Sequence, residues 1–214
     1  MDGKRMLIRM GPTILMVVLA LFVWLDKKDV PTQEELQAAY GNLAASVENE
    51  VTAYTNYEAY AAKADEEGHP SAAKLFRATA EANKIHAAEQ YGIAITMISD
   101  TPYPEYTAEE AGTTFDNLNA AIETEKNLAL LTYPAYMQQA DASGQGKIET
   151  AFRKALKADE RHAELFQDAL INLDKTEDTK YYICPVCGNV AKDKAPLFCP
   201  VCSALKNKFV LYEE

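Results

Sequence analysis

Phe76-Arg-Ala-Thr-Ala-Glu-Ala-Asn-Lys-Ile-His86-Ala87 returns 76 residues later as Phe152-Arg-Lys-Ala-Leu-Lys-Ala-Asp-Glu-Arg-His162-Ala163. Both segments open on Phe-Arg, close on His-Ala and keep a helical composition between. Alanine- and glutamate-rich helices repeat single letters by chance, but the chain has only three histidines and two of them take part. The match extends outward: Gly68 falls on Gly144 at the same offset, and Glu50 falls on Glu125 at an offset of 75. One helical hairpin is used twice, which specifies a mainly α fold built on a four-helix bundle.

The punctuation agrees. Thr32-Gln-Glu-Glu35 reads as a capping box after Pro31 and opens a first helix that runs to Gly68, with Pro70 beyond it. A second helix runs from Ser71 to about Ile98 and is closed by Asp100-Thr-Pro-Tyr-Pro104. The third spans Thr114 to Ala142 with a bend expected at Pro134, and the fourth spans Lys147 to Leu173. Strand signals are absent until Tyr181. The expected organisation is a bundle over 32–175 and a small domain over 179–214.

Residues 1–28 differ from the rest. Met10 to Leu25 is sixteen residues without a charge and is apolar all round, unlike the face of a soluble helix. At ~1.5 Å per residue it covers ~24 Å of a ~30 Å hydrocarbon core, and Leu7 and Ile8 extend it if Arg9 snorkels. An N-terminal hydrophobic helix acting as an uncleaved single-pass membrane anchor is the expectation. A cleaved signal peptide is the rival, with Lys4, Arg5 and Arg9 as its basic region, but no small-x-small pair precedes Asp26. Three basic residues precede the segment and only Lys27 and Lys28 follow it, which favours an exported body over one on the cytoplasmic face. The remainder is acidic: 32 Asp and Glu against 21 Lys and Arg give a net charge of −11, which repels a phosphate backbone and argues against nucleic acid as a partner.

Bundles that hold two metal ions place a Glu on each of two helices and Glu-x-x-His on the other two, because residues three apart share a face. The second half supplies Asp159-Glu-Arg-His162 with Glu125 before it. The first half supplies Glu50 and His86, but Asn83 stands three residues before His86. Glu50 and Glu125 also sit among Ala, Val and Leu rather than in a solvated run. All four cysteines form two knuckles, Cys184-Pro-Val-Cys187 and Cys199-Pro-Val-Cys202, separated by eleven residues. Each knuckle aims two thiolates at one point, as a single tetrahedral ion requires, and spacing does not separate iron from zinc. Two disulfides are the alternative.

With these residues in place the chain resembles the rubrerythrin family, a ferritin-like di-iron bundle followed by a short rubredoxin-like domain. The resemblance runs from about residue 40 to the end. Its carriers are Asn42-Leu43 leading to Glu50, Tyr57, Gly68, Leu75-Phe76, Thr79-Ala80-Glu81, His86-Ala87, Ala121-Ile122 leading to Glu125, Tyr133-Pro134, Asp159-x-x-His162 and the two knuckles. It implies di-iron ligation by Glu50, His86, Glu125 and His162, with Asp159 where the family has Glu, and one rubredoxin-type iron on Cys184, Cys187, Cys199 and Cys202. Tyr57 and Tyr133 match tyrosines that line the di-iron pocket, where a phenol can hydrogen-bond a ligating carboxylate or simply pack. The ligand set is altered: Asn83 stands where the family has a bridging Glu, Asp159 is one methylene short, and Leu128 replaces a further carboxylate.

The activity implied is reduction of hydrogen peroxide to water at the di-iron site, with electrons relayed through the four-cysteine iron from a redox protein donor. A homodimer is implied as well. The alternatives are an electron-transfer or metal-binding protein with a degenerate bundle site, and a ferroxidase engaged in iron handling.

Overall fold

The computed structural model describes residues 30–173, 175 and 179–213. Helix α1, Gln33–Glu66, begins on the expected capping box: Glu35 N–H donates to Thr32 Oγ1 at 3.2 Å and Thr32 N–H donates to the Glu35 carboxylate at 2.7 Å. Helix α2 is Pro70–Met97, α3 is Thr114–Asn127, α4 is Tyr133–Ala142 and α5 is Gly146–Ile171. The first and third helical rods end alike. Gly68 and Gly144 lie at φ +80 and +66, and the residue after each glycine donates back to the carbonyl five positions earlier, His69 to Ala64 and Gln145 to Ala140. A left-handed residue is needed to turn each hairpin, which is why the repeat preserves glycine at both corners.

The third rod departs from the expected smooth bend. Between α3 and α4 the chain makes a π turn, Leu128–Thr132, that ends two residues before Pro134. Proline has no N–H to give and its ring collides with the carbonyl four residues back, so the wider turn accommodates it. The turn absorbs one extra residue, and this has a consequence for facing. Glu50 and Tyr57 are seven residues apart on α1, about 20° out of line at ~100° per residue. Glu125 and Tyr133 are eight apart, and the extra residue of the π turn returns them to the same face.

Two apolar clusters fill the bundle. One gathers Tyr57, Tyr60, Phe76, Leu118 and Phe166, and the other Leu43, Tyr133, Ile148 and Phe152. Phe76 and Phe152, the repeat partners, therefore anchor separate clusters. The polar residues Glu50, Asn83, His86, Glu125, Asp159 and His162 are also buried, none more than 2% exposed.

Beyond the bundle, strands β1 (Tyr181–Ile183), β2 (Val190–Lys192) and β3 (Val210–Tyr212) form an antiparallel sheet in the order β2-β1-β3. Tyr182 pairs with Ala191 on one side and Leu211 on the other. Tyr181, Ile183 and Val190 join the Phe76 cluster, and Lys192 Nζ meets Asp168 of α5 at 2.6 Å, so the sheet is seated on the bundle. The anchor read into residues 1–28 lies outside the described residues; among those described, no helix is long and apolar enough to cross a membrane.

Phe76 is fully buried against Tyr57, Tyr60 and Phe166. Phe76→Ala is expected to cost ~3–5 kcal/mol, read as a lowered urea midpoint at unchanged slope.

Candidate metal centres

Each bundle helix delivers its polar residues on one stripe. On α1 these are Ser46, Glu50 and Tyr57; on α2 they are Thr79, Asn83, His86 and Gln90, spaced four, three and four apart. Helix α3 brings Glu125, α4 brings Tyr133, and α5 brings Asp159 and His162. The stripes meet in two triads. Ligand atoms of Glu50, His86 and Asp159 lie within 4.8 Å of one another, as do those of Glu125, Asp159 and His162. His86 Nδ1 is 3.4 Å from Glu50 and 3.5 Å from Asp159 Oδ1, while His162 Nδ1 is 3.3 Å from Glu125 and 3.7 Å from the same Asp159 oxygen. Asp159 belongs to both triads.

The imidazoles are oriented by the cysteine domain. His86 Nε2 lies 3.0 Å from the Cys187 carbonyl and His162 Nε2 lies 3.1 Å from the Gly188 carbonyl. A carbonyl can only accept, so Nε2 carries the proton on both rings and Nδ1 presents its lone pair to the carboxylates. That is the tautomer a metal ligand needs, held by a backbone partner behind it. Gly188 permits the approach. It sits at φ +71, and a Cβ there would run into the His86 ring and lie 2.9 Å from the Ala82 carbonyl.

Each outer carboxylate also receives a phenol, and the pairing crosses the repeat. Tyr57 on α1 donates to Glu125 Oε1 at 2.8 Å, and Tyr133 on α4 donates to Glu50 Oε1. Their surroundings differ. Tyr57 lies edge-on to Phe166 at 5.3 Å between ring centroids, whereas the Tyr133 oxygen lies 3.1 Å from both Gln90 Nε2 and Ser46 Oγ. Burial, then the neighbouring carboxylates, hold both phenols well above the usual range, so both keep their protons.

The donor set fits cations. Glu50 Oε2, both Asp159 oxygens and His86 Nδ1 are buried and have no hydrogen-bond partner. Burial, then the charges of Glu125 and Glu50, push the Asp159 carboxyl well up. Burial pulls His86 down, but Glu50 and the Cys187 carbonyl outweigh it and the imidazole is raised.

The second centre is a four-sulfur cluster. Cys184 and Cys202 Sγ are 3.6 Å apart, Cys187 and Cys199 Sγ are 3.5 Å apart, and all four lie within 4.8 Å of one another. All four thiols are free, and a tetrahedron with ~2.3 Å metal–sulfur bonds has edges near these values. Cys184, Cys187 and Cys199 are buried, and Cys202 is the partly exposed edge.

The candidate residues read from the sequence thus gather as two centres, with Tyr57 and Tyr133 on the outer carboxylates of the first. Asn83 is buried beside His86 with both side-chain polar atoms unpartnered. Leu128 is buried at the start of the π turn in the Tyr133 and Phe152 cluster and offers no donor. Sequence reasoning missed Ser46, Gln90 and Gly188. The first two had a signal, since each stands four residues from a candidate ligand on the same helical stripe.

Residues 41–170 match the family described as Rubrerythrin, and residues 182–210 match the one described as Rubrerythrin, rubredoxin-like domain. Nigerythrin of Nitratidesulfovibrio vulgaris is 32% identical over 80% of this chain and 85% of its own length. Rubrerythrin-2 of Clostridium acetobutylicum is 31% identical over 85% of this chain and 97% of its own. A solved structure of the fully reduced, all-ferrous state of nigerythrin aligns with a TM-score of 0.80 at 32% identity, covering 81% of this chain and 86% of that one.

Gly188→Ala is expected to lift the first cysteine knuckle from α2 and strain a left-handed position, at ~1–3 kcal/mol. The four-cysteine site should still bind cobalt(II) with its thiolate absorption intact, while the urea midpoint of the metal-free protein falls.

Proposed function

The chain belongs to the rubrerythrin family of iron-binding oxidoreductases, and on that premise we propose that it is a non-haem iron peroxidase reducing hydrogen peroxide to water at the bundle centre. Glu50, His86, Glu125, Asp159 and His162 would hold two irons, and the four cysteines a third. Iron would supply redox chemistry: peroxide takes up two electrons and two protons to give two waters, and a four-cysteine iron passes one electron at a time.

The observation that carries this reading is the pair of hydrogen bonds from the Nε2 atoms of His86 and His162 to the carbonyls of Cys187 and Gly188. Cys187 is itself a candidate ligand, so the two centres are linked through an imidazole and a stretch of backbone. An iron store has no use for that link. The residues of the bundle have three tasks. Asp159 spans the two triads, His86 and His162 present Nδ1, and Tyr57 and Tyr133 hold protons on the outer carboxylates while the apolar clusters keep bulk water out.

Asn83 and Leu128 favour a second reading. Neither brings the charge of the family's carboxylates at those positions, so a bundle with one metal or none could serve as scaffold for a working four-cysteine centre. A redox protein as electron donor and a homodimeric assembly belong to the primary reading, and residues 10–25 are proposed as the membrane anchor on their composition alone.

Iron analysis with Mössbauer spectroscopy on anaerobically purified full-length protein should count about three irons per chain, two of them outside a sulfur environment. A single, sulfur-bound iron transfers the assignment to the second reading. His162→Ala should lose bundle iron and peroxide consumption together, whereas Cys199→Ser should keep bundle iron and lose both the red colour and donor-dependent turnover. Removal of residues 1–28 should release a folded body from the membrane pellet. Intact chain in a detergent-free supernatant would refute the anchor.

A further inference from the structure

The bundle centre has two opposite faces, one between α2 and α5 and the other between α1 and α3. The cysteine domain closes the first. His86 and His162 lie there with ring centroids 6.1 Å apart, and the carbonyls of Cys187 and Gly188 sit on their Nε2 atoms at 3.0 and 3.1 Å. The contact is so close that a Cβ on Gly188 would run into the His86 ring. A solute cannot pass to the carboxylates on that side.

The opposite face is open. A cavity of about 270 Å³ enters between the helices and is lined by Asn49, Thr52 and Asn56 of α1 and by Thr124, Asn127 and Thr132 of α3 and the π turn. Asn127 is exposed at its mouth, whereas Tyr57 and Leu128, 1% and 6% exposed, stand at its inner end. From there a single hydrogen bond leads to the centre, because Tyr57 donates to Glu125 Oε1 at 2.8 Å. With leucine at position 128 the inner end carries no charge.

The lining differs from the rest of the chain. Of all residues 25% are charged, yet none of the ten around this cavity is. Among the described residues, Asn56 alone of the six amides and hydroxyls bonds to the protein through its side chain, accepting from Glu109 N–H at 3.0 Å. The other five keep their donors and acceptors free. A path for ferrous ions would carry carboxylates, the oxygen ligands such cations favour, and a path for apolar gases would need no polar groups. Amides and hydroxyls suit a small uncharged solute that both donates and accepts hydrogen bonds.

We infer that this cavity is the passage by which hydrogen peroxide reaches the bundle centre, and that Thr52 and Thr124, short, half-buried and unpartnered, are specificity-determining residues within it. The inference rests on the reading of the chain as a peroxide reductase. It goes further in giving substrate and electrons opposite faces of the bundle: peroxide enters between α1 and α3, and electrons arrive from the cysteine domain across α2 and α5.

The test uses full-length, iron-loaded protein, reduced and anaerobic, and follows oxidation of bundle iron by hydrogen peroxide in stopped flow. Thr52→Leu and Thr124→Leu each narrow the passage and remove a hydroxyl, and each should slow the second-order rate about tenfold while iron content and Mössbauer parameters match wild type. Access is read separately and without turnover. Thr52→Cys in zinc-loaded protein, whose four native thiolates are held by metal, should react with neutral methyl methanethiosulfonate about tenfold faster than with its anionic sulfonatoethyl analogue, each rate taken relative to free cysteine. Circular dichroism confirms folding, and a leucine variant that does not fold leaves the labelling to decide. Wild-type rates in folded Thr52→Leu and Thr124→Leu, or equal labelling by the two reagents, overturns the passage alone. Wild type that holds two bundle irons and does not react with peroxide overturns the peroxidase reading and the passage with it.

Discussion

Three buried carboxylates, Glu50, Glu125 and Asp159, have no lysine or arginine among the described residues to pair with. Moving an ion out of water costs several kcal/mol even after relaxation, and the protein offers these groups only two phenols and the Nδ1 edges of two imidazoles. The rest of the bundle answers to that constraint. The aromatic clusters that keep solvent away raise the cost, the glycine turns that pair the helices keep the oxygens converged, and a proton or a cation from outside relieves it. The uncompensated charge therefore sits at the centre of the fold and not at its periphery.

The internal repeat explains how such a site arises and where it has been broken. Duplicated hairpins place the same residues on opposite helices, so a ligand set written once is delivered twice. The breaks are informative because they are local. The Tyr133 side has a polar supplement from Ser46 and Gln90, and at the repeat position of Gln90 the Tyr57 side has Phe166. Two outer carboxylates of identical chemistry therefore sit in unlike surroundings, and the two triads to which they belong are inequivalent.

Most of this was legible in the sequence for a physical reason: helices announce themselves through caps, glycine corners and periodic burial, and rare residues at repeat spacing announce a site. The capping box at Thr32, the glycines at 68 and 144, the histidines and the knuckles were all readable. The π turn was foreseen only as a bend at Pro134, although its trace is in the repeat itself. Glu50 and Glu125 are offset by 75, Tyr57 and Tyr133 by 76, and the additional residue lies inside Leu128–Thr132. The carbonyls of Cys187 and Gly188 left no trace at all, because backbone acceptors have no letter. What decides which nitrogen of each histidine is free comes from a domain a hundred residues away from His86.

The buried polar stripe around Tyr133 shows how little freedom that arrangement leaves. Gln90 Oε1 can only accept, and it takes the single Ser46 proton at 2.5 Å. Gln90 Nε2 can only donate, and it points at the Tyr133 oxygen. Tyr133 is thereby barred from donating to Gln90, and its proton is directed onto Glu50 Oε1. With one oxygen of Glu50 engaged, the unpartnered Oε2 is the atom left for a cation. Gln90, one turn beyond His86, thus sets the direction of the protons on Ser46 and Tyr133. Tyr57, which packs against Phe76 and Phe166, donates to Glu125 Oε1 without such a polar network. One outer carboxylate is therefore tied to a polar network through Tyr133 and the other to an aromatic cluster through Tyr57, so a polar substitution at Phe76 or Phe166 would disturb the second while leaving the first in place.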